Sequence, residues 1–307
     1  MNKKLKFQLD ITNCLSSCII KMNNLETIPG EILKIILQYL PLKFLIAMTT
    51  ISTYFNRFIK ITPWCNELRI QLKEITYVTS TYKFKKIILS DSLITDSALQ
   101  YFANCHRINL NRCDLISNAG LKYLSNCHNI SLSFCNITDE GLIYLTNCRK
   151  IDLSLCSITD KGLAYLTNCH KINLSFCELI TDEGLKYLTN CQKIDLSDCG
   201  QITDNGLQYL TNCRKINLSF CNLITDTGLQ YLTNCHEINL SCCQLITNTG
   251  LQYLINCHEI NLSYCQLITN TGLQYLTNCD EINLSFCHLI TDVGLQCLKN
   301  SNVIRNN

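Results

Sequence analysis

The chain has 307 residues, of which 47% are hydrophobic and only 16% are charged, whereas an average globular domain is roughly 25% charged. Its net charge of +2 lacks the basic excess with which proteins bind phosphates, so we do not expect nucleic acid as a partner. No stretch approaches the roughly 18 apolar residues of a membrane-spanning helix. Asp10, Asn13 and Ser16 interrupt the apolar core that a secretion signal would need. We therefore expect an intracellular protein, cytoplasmic or nuclear, that does not bind membranes.

After an N-terminal segment at 1–23, residues 24–62 carry two amphipathic helical patterns. The first helix is expected between Pro29 and Pro41, because proline is tolerated in the first turn of a helix and breaks the helix when it occurs further along. Its apolar stripe has the spacing i, i+1, i+4, i+5, i+8 and consists of Ile32, Leu33, Ile36, Leu37 and Leu40. Helices this short bury too little apolar surface to be stable alone, which favours an obligatory partner.

The same segment, IPGEILKIILQYLP at residues 28–41, resembles an F-box, whose pattern is L-P-x-E-I-L-x-x-I-x-x-Y-L-P. Glu31 and Tyr39 are among the matching positions, and Ile28 departs from the usual leucine. In that family the F-box binds a Skp-type adaptor, which joins it to a cullin scaffold. The resemblance implies that the adaptor-binding residues here are Pro29, Ile32, Leu33, Ile36, Leu40 and Pro41. A plain helical cap over the first repeat is the alternative interpretation.

Residues 63–85 are expected to form a linker or an N-terminal cap, and residues 86–307 consist of repeats with a period of 21 or 22 residues. Two series of cysteines mark the period, one directly after an asparagine and one eight residues later, as in Cys169 and Cys177. Between them, Ile172 and Leu174 alternate with polar residues, which predicts a short strand with one buried face.

The second half of each unit has the pattern of a short helix. Thr181 and Asp182 supply N-cap chemistry, and Leu185 and Leu188 are three residues apart on one helical face. Asn190 can adopt the left-handed conformation that ends a helix. Each unit is therefore predicted to be one strand, one turn and one helix.

A unit of this size buries its apolar face only by stacking on its neighbours. Because a helix is wider than the roughly 4.8 Å between strands, the strands form the concave face. The pattern C-x-x-I-x-L-x-x-C-x-x-I-T-D-x-G-L resembles the cysteine-containing leucine-rich repeats that are common in F-box proteins. The predicted fold is a curved, right-handed α/β leucine-rich-repeat solenoid with parallel strands inside and short helices outside. We count ten strands, and SNVIRNN at the C-terminus predicts a short eleventh.

The two cysteine series favour packing over chemistry. Eight residues of extended chain separate Cys169 from Cys177 by up to roughly 26 Å, and a disulfide needs Cα atoms within about 7 Å. Bridges between repeats are conceivable by geometry, but a reducing compartment argues against them. The close C-x2-C pairs of zinc sites are lacking. We expect buried thiols, no metal and no cofactor.

The position before each buried isoleucine lines the concave groove, and its charge changes sign once along the repeats. The charged members of this column are Lys150, Lys171, Lys193, Lys215, Glu237, Glu259 and Glu281. One interpretation is that the two halves select an extended ligand of opposite polarity. The other is that repeat duplication has copied the charges of a solvated face.

Two further columns allow alternative roles. The residues before the second cysteine include Phe134, Phe176, Phe220, Tyr264 and Phe286. These rings either grip a ligand or pack in the turn after the strand. A column of histidines, among them His106 and His258, either binds a metal or lies on a loop surface.

No nucleotide-binding loop and no H-E-x-x-H motif occurs, so we expect no catalytic site in this chain. The resemblance implies the substrate-recognition subunit of an SCF-type cullin ubiquitin ligase, with a protein substrate in the groove. The alternative is a ligase-independent leucine-rich-repeat interaction scaffold. The bias to Asn, Ile and Lys is typical of an AT-rich genome, such as that of a protist or of a virus acting in its host cell.

Overall fold

The structure is a computed structural model that describes residues 63–69, 83–90 and 93–306. The N-terminal segment at 1–23 and the expected F-box at 24–62 lie outside the described residues, which begin at Pro63. Every residue that we predicted to bind the adaptor lies in these undescribed segments. It concerns Pro29, Ile32, Leu33, Ile36, Leu40 and Pro41.

Twelve parallel strands form one sheet in which the spatial order is the chain order. The strands are β1 (Pro63–Arg69), β2 (Lys83–Ile88), β3 (Arg107–Asn109), β4 (Asn129–Ser131), β5 (Lys150–Asp152), β6 (Lys171–Asn173), β7 (Lys193–Asp195), β8 (Lys215–Asn217), β9 (Glu237–Asn239), β10 (Glu259–Asn261), β11 (Glu281–Asn283) and β12 (Asn302–Ile304). Each strand pairs only with its neighbours in the sequence, so the sheet stays open. It forms the inner face of a curved solenoid, which confirms the predicted α/β architecture.

Short helices alternate with the strands from β2 onward. The α-helical turns are Asp96–Leu99, Asp139–Leu142, Asp160–Leu163, Asp182–Leu185, Asp204–Leu207, Asp226–Leu229, Asn248–Leu251 and Asp292–Leu295. The 3-10 turns are Gln100–Phe102, Asn118–Leu124, Ile143–Leu145, Lys186–Leu188, Gln208–Leu210, Gln230–Leu232, Gln252–Leu254, Asn270–Leu276 and Gln296–Leu298. In the described part of the chain, none of these helices has the length and apolarity needed to cross a membrane.

Parallel pairing in strict register stacks equivalent residues of successive repeats. Ile172 on β6 pairs with Ile151 on β5 and Ile194 on β7, and all three are buried. The leucine two residues later and the helix leucines, such as Leu174 and Leu185, are fully buried as well. The core is therefore one continuous seam of isoleucine, leucine and cysteine that runs the length of the repeats.

The sheet is longer at its N-terminal end than the sequence predicted. The short strand expected at the C-terminus is present as β12, but β1 was not predicted and lies in the segment 63–85 that we assigned to a linker or cap. Its sequence, PWCNELR, contains Cys65 three residues before Leu68, in the same spacing as the cysteine and isoleucine that begin each repeat. Leu68 pairs with Ile87 on β2, so this local signal of a further strand was present in the sequence and we missed it.

Where a helix starts with threonine and aspartate, as at Thr181 and Asp182, the two residues have different roles. Thr181 is the N-cap, and its hydroxyl accepts the Glu183 N–H. The following Asp182 reaches the next repeat, where its carboxylate accepts the Thr203 N–H at 2.8 Å and the Thr203 hydroxyl at 2.5 Å. The aspartate, which the sequence suggested was a capping group, therefore joins adjacent repeats.

The prediction that Asn190 ends its helix in a left-handed conformation was wrong. The residues with positive φ are instead those directly before the second cysteine, among them Phe176 at 59°. The Asn190 side chain donates from Nδ2 to the Thr167 carbonyl of the preceding repeat at 3.3 Å. Asn147 and Asn168 make the equivalent bond, so this asparagine also connects repeats.

The inter-repeat role of Asp182 predicts a graded response to substitution. Asp182→Ala removes both acceptors of Thr203, and we expect it to lower the free energy of unfolding by about 1–3 kcal/mol. Asp182→Asn should cost much less, because Asn248 already makes the equivalent pair of bonds to Thr269. Urea unfolding followed by circular dichroism measures both variants. Equal destabilisation by alanine and asparagine would contradict the proposed bridge.

Candidate functional site

The candidate site is the concave groove formed by the inner faces of the strands. Its larger part has a volume of about 560 Å³ and extends from β6 to β12. A second part of about 490 Å³ covers β2 to β6. The groove contains every charged residue that the sequence predicted for it, namely Lys150, Lys171, Lys193, Lys215, Glu237, Glu259 and Glu281.

The register of the sheet brings these charges into one column. Lys193 pairs with Lys215 in the ladder, Lys215 with Glu237, and Glu237 with Glu259. At the change of sign, the Lys215 ammonium donates to the Glu237 carboxylate, and this bond raises the pKa of Lys215. The polarity of the groove thus reverses between β8 and β9.

A second column, two residues further along each strand, forms the groove floor. Asn173 and Asn217 use their Oδ1 atoms to accept the N–H of Ser175 at 2.9 Å and of Ser219 at 3.1 Å. These bonds fix the turn that follows each strand. At Asp195 the column carries a carboxylate, which accepts the Ser197 N–H in the same way. The sequence showed these polar positions but not their use inside the turn.

The predicted aromatic row lies at the edge of the groove, on the turn at the C-terminal end of each strand. Phe176 and Phe220 are both 48% exposed, so about half of each residue is open to solvent. Tyr264 is 43% exposed and stacks on Phe286 with ring centroids 4.4 Å apart. Ligand binding by these rings stays a prediction, and packing against the turn stays the alternative.

The backbone of this row is strained. Phe176, Phe220, Tyr264 and Phe286 have φ between 59° and 63°, a region that costs an L-residue roughly 1–2 kcal/mol. Their N–H groups continue the sheet, as Phe220 donates to the Ser241 carbonyl at 3.0 Å. Glycine would fit this conformation without strain, yet no described glycine has positive φ. Residues held in such regions cluster at functional sites.

An exposed leucine follows three residues after the aromatic position, and the sequence analysis did not single it out. It is the leucine before I-T-D, and its exposed members are Leu93, Leu115, Leu179, Leu223, Leu245, Leu267 and Leu289. The signal was present in the sequence, because an apolar residue recurs directly before the buried isoleucine. A strand-and-helix pattern does not reveal which of two adjacent apolar residues faces solvent.

The histidine column lies at the opposite rim, before each strand. His106 stacks on His128 and His236 on His258, with ring centroids 5.7 and 5.5 Å apart. His128 uses Nδ1 to contact the Asn126 carbonyl at 2.9 Å. Within the described residues, no group of three or more metal-ligating side chains is assembled.

The cysteines are buried thiols that bond to backbone carbonyls. Cys169 donates to the Cys148 carbonyl and Cys177 to the Leu153 carbonyl, both at 3.3 Å. Burial raises the pKa of Cys169 to about 12 and the pKa of Cys177 to about 11. The cysteines of both series are buried, as the sequence predicted, whereas Cys297, which belongs to neither, is exposed.

The comparisons with known proteins agree with this geometry. The Leucine Rich repeat family matches eight segments that together make up about half of the chain. They are 129–145, 147–166, 170–188, 192–210, 212–232, 235–254, 258–276 and 281–299. No curated protein is similar enough to match the chain.

Solved structures share the fold at low sequence identity. An internalin from Listeria monocytogenes has a TM-score of 0.61 and 19% identity, over 83% of this chain and 76% of its own. A chain of the TLR13–ssRNA13 complex has a TM-score of 0.62 and 14% identity, over 82% of this chain. A chain of the Toll–Spatzle complex from Drosophila has a TM-score of 0.60 and 17% identity, over 84%. This chain spans only 41% and 42% of the last two.

The burial of the thiols predicts selective alkylation. Iodoacetamide at pH 8 should modify the exposed Cys297 in the folded protein and leave Cys169 and Cys191 unmodified until urea unfolds the chain. Peptide mass spectrometry measures the labelling. Rapid labelling of Cys169 in the folded protein at pH 8 would contradict the structure.

Because the folded pKa of Cys169 is raised from 9.0 to about 12, the stability that its neutral thiol contributes is complete below pH 9 and is lost as the pH rises towards 12.

Proposed function

The chain belongs to the leucine-rich repeat family, and from this premise we propose that it is a protein-binding subunit whose concave groove holds an extended protein ligand. The observation that carries the proposal is the single column of charged side chains, in register from β5 to β11, that runs along the groove. Such a column offers one contact per repeat to a ligand that lies across the strands. Electrostatic complementarity of this kind fixes the orientation and register of a ligand.

The two halves of the column assign a direction to that ligand. The acidic part of the ligand lies over β5–β8, where Lys150, Lys171 and Lys193 point into the groove. The basic part of the ligand lies over β9–β11, where the column is acidic. The Lys215–Glu237 ion pair marks the boundary between the two. This is the first of the two interpretations of the column, and the duplicated, solvated face is the alternative that the experiment below tests.

The finer proposal is that this subunit recognises substrates for an SCF-type cullin ubiquitin ligase. What supports it is the F-box-like sequence at 28–41, directly ahead of the repeats. In this proposal the segment binds a Skp-type adaptor, the groove binds the protein substrate, and the chain itself performs no catalysis. It contributes proximity, by holding the substrate close to the reacting groups of the assembled ligase.

A ligase-independent interaction scaffold is the second candidate. The observation that favours it is that the family matches cover repeats between 129 and 299, and none of them includes the N-terminal segment. In a scaffold, the N-terminal helices would cap the solenoid. The two candidates share the groove and differ only in the adaptor.

The adaptor distinguishes the two candidates. We expect the tagged full chain, expressed in eukaryotic cells, to co-purify with a Skp-type adaptor and to lose it when Ile32, Leu33 and Leu40 are replaced by Asp, because charges would disrupt an apolar docking face. Mass spectrometry of the purified complex identifies the adaptor. Circular dichroism should show that the repeats of the variant stay folded. A wild-type chain that retains no adaptor would exclude the ligase proposal and leave the scaffold.

The charge column is tested separately. We expect the triple variant Lys171→Glu, Lys193→Glu, Lys215→Glu to reduce by at least about tenfold the recovery of proteins that the wild-type chain captures, since like charges would then face an acidic ligand. The matched control reverses three exposed lysines on the helices and their flanks, Lys122, Lys161 and Lys299. Quantitative mass spectrometry measures both. Unchanged capture by the groove variant would show that the column is only a solvated face.

A further inference from the structure

The C-terminal repeats carry a continuous apolar edge beside the groove. We define the C-terminal apolar rim as Phe220, Leu223, Leu245, Tyr264, Leu267, Phe286 and Leu289. Its leucines are 47–52% exposed, although each lies next to a fully or nearly fully buried isoleucine. Backbone hydrogen bonds hold the turns around these leucines. In the repeat of Leu289, the Cys287 N–H donates to the Leu284 carbonyl and the Ile290 N–H donates to the Cys287 carbonyl. The rim is therefore a rigid surface.

This apolar character is uninterrupted only in the C-terminal half. The residues between the rim positions are Asn222, Gln244, Gln266 and His288, and none is a carboxylate, a lysine or an arginine. Gln266 donates to the Phe286 carbonyl at 3.0 Å, which turns its amide towards the backbone. Before Phe220, Leu115 and Leu179 are exposed as well, but Asp114 and Glu178 lie beside them, and three repeats lack the leucine altogether.

An acidic wall, made by Glu259 and Glu281, lies at the start of the same strands whose following turns carry the rim. Glu259 and Glu281 are exposed and adjacent in the ladder, and across residues 93–306 their carboxylates take part in no ion pair. The floor between wall and rim is uncharged. Asn239, Asn261 and Asn283 form it, and each Oδ1 accepts a serine N–H at 3.0 Å.

The spacing of the repeats fits an α-helix that lies across the strands. Glu281 and Phe286 are five residues apart, which is at most about 17 Å of extended chain, and a helix with its side chains is about 10–12 Å wide. Adjacent repeats are about 4.8 Å apart, so three of them match two turns of 5.4 Å to within about 1–2 Å. Side chains on one face of an extended strand recur at about 6.8 Å and lose this match after one step.

From the acidic wall, the uncharged floor and the apolar rim, we propose that the C-terminal trough binds a basic amphipathic α-helix of a partner protein. The lysine or arginine edge of the helix faces Glu259 and Glu281, and its leucine-rich face packs on Tyr264, Leu267 and Leu289. The inference rests on the proposed protein-binding function, and it assigns the basic part of the ligand a conformation and an apolar face. The strained aromatic positions keep rings on the surface where this helix lies.

The probe is a synthetic 18-residue helix, labelled with a fluorophore, that carries lysines along one edge and leucines along the adjacent face. Fluorescence anisotropy with the purified full chain measures its binding. We expect saturable binding that weakens at least about tenfold in the chain variant Glu259→Lys, Glu281→Lys and about as much in the variant Tyr264→Ser, Leu267→Ser, Leu289→Ser. Added salt should weaken binding, since the charges are exposed. Circular dichroism should show that the peptide gains helicity on binding.

Matched controls separate this proposal from its alternatives. The chain variant Glu140→Lys, Glu183→Lys should bind the probe as tightly as the wild type, because it makes the same change of charge on exposed residues of the outer helices. A probe with every lysine replaced by glutamate should lose no affinity in the Glu259→Lys, Glu281→Lys variant, because the proposed function places acidic ligands over the lysines of β5–β8. The inference is overturned if that variant weakens binding of the acidic probe, or if a proline-substituted probe that forms no helix or a probe with scrambled leucines binds as tightly as the original.

A second copy of this chain is the remaining alternative occupant of the rim. Light scattering coupled to size-exclusion chromatography should give the same mass for the wild type and for the Tyr264→Ser, Leu267→Ser, Leu289→Ser variant. A wild-type dimer that this variant converts to a monomer would overturn the inference in favour of a second copy. If the helix probe fails while the wild-type chain still captures proteins through Lys171, Lys193 and Lys215, the inference fails and the proposed function stands.

Discussion

The structure depends on one constraint, which is that each repeat needs its neighbours to pair its strand backbone and to bury its apolar side chains. The strand N–H and C=O groups pair with the adjacent strands in register. The carboxylate of Asp182, the amide of Asn190 and the thiol of Cys177 all bond to an adjacent repeat. The buried isoleucines and leucines form one seam without internal boundaries. A single unit therefore has no stable fold of its own, and stability is a sum over neighbouring pairs.

The same register organises the surface. Because equivalent residues stack at one position per strand, a single position of the repeat becomes a stripe that runs across the whole sheet. The lysines and glutamates form one such stripe, the floor asparagines a second, and the aromatic residues a third. Small differences between otherwise similar repeats, such as Lys215 against Glu237, divide a stripe into zones of different chemistry. The groove and the C-terminal apolar rim are both products of this division.

Much of this was predictable from the sequence because a short period leaves a strong pattern. The unit of strand, turn and helix, the inward charge column and the packing role of Cys169 all follow from spacing within one repeat. What was missed depends on contacts between repeats. The bridge from Asp182 to Thr203 spans 21 residues, and the Asn190 bond to Thr167 spans 23, so no local pattern reveals either. The left-handed backbone at Phe176 is set by the turn after the strand, and a bulky residue gives no signal for it.

The uniform register has a consequence for how such a molecule changes over generations. Since the backbone pairing at Lys193 and Lys215 is the same as the pairing at Glu259 and Glu281, a duplicated unit inserted between any two repeats finds a matching strand on each side. Gain or loss of one unit changes the reach of the concave face by about 4.8 Å without disturbing the rest. Length is thus a property that evolution adjusts in whole steps, separately from the chemistry of each step.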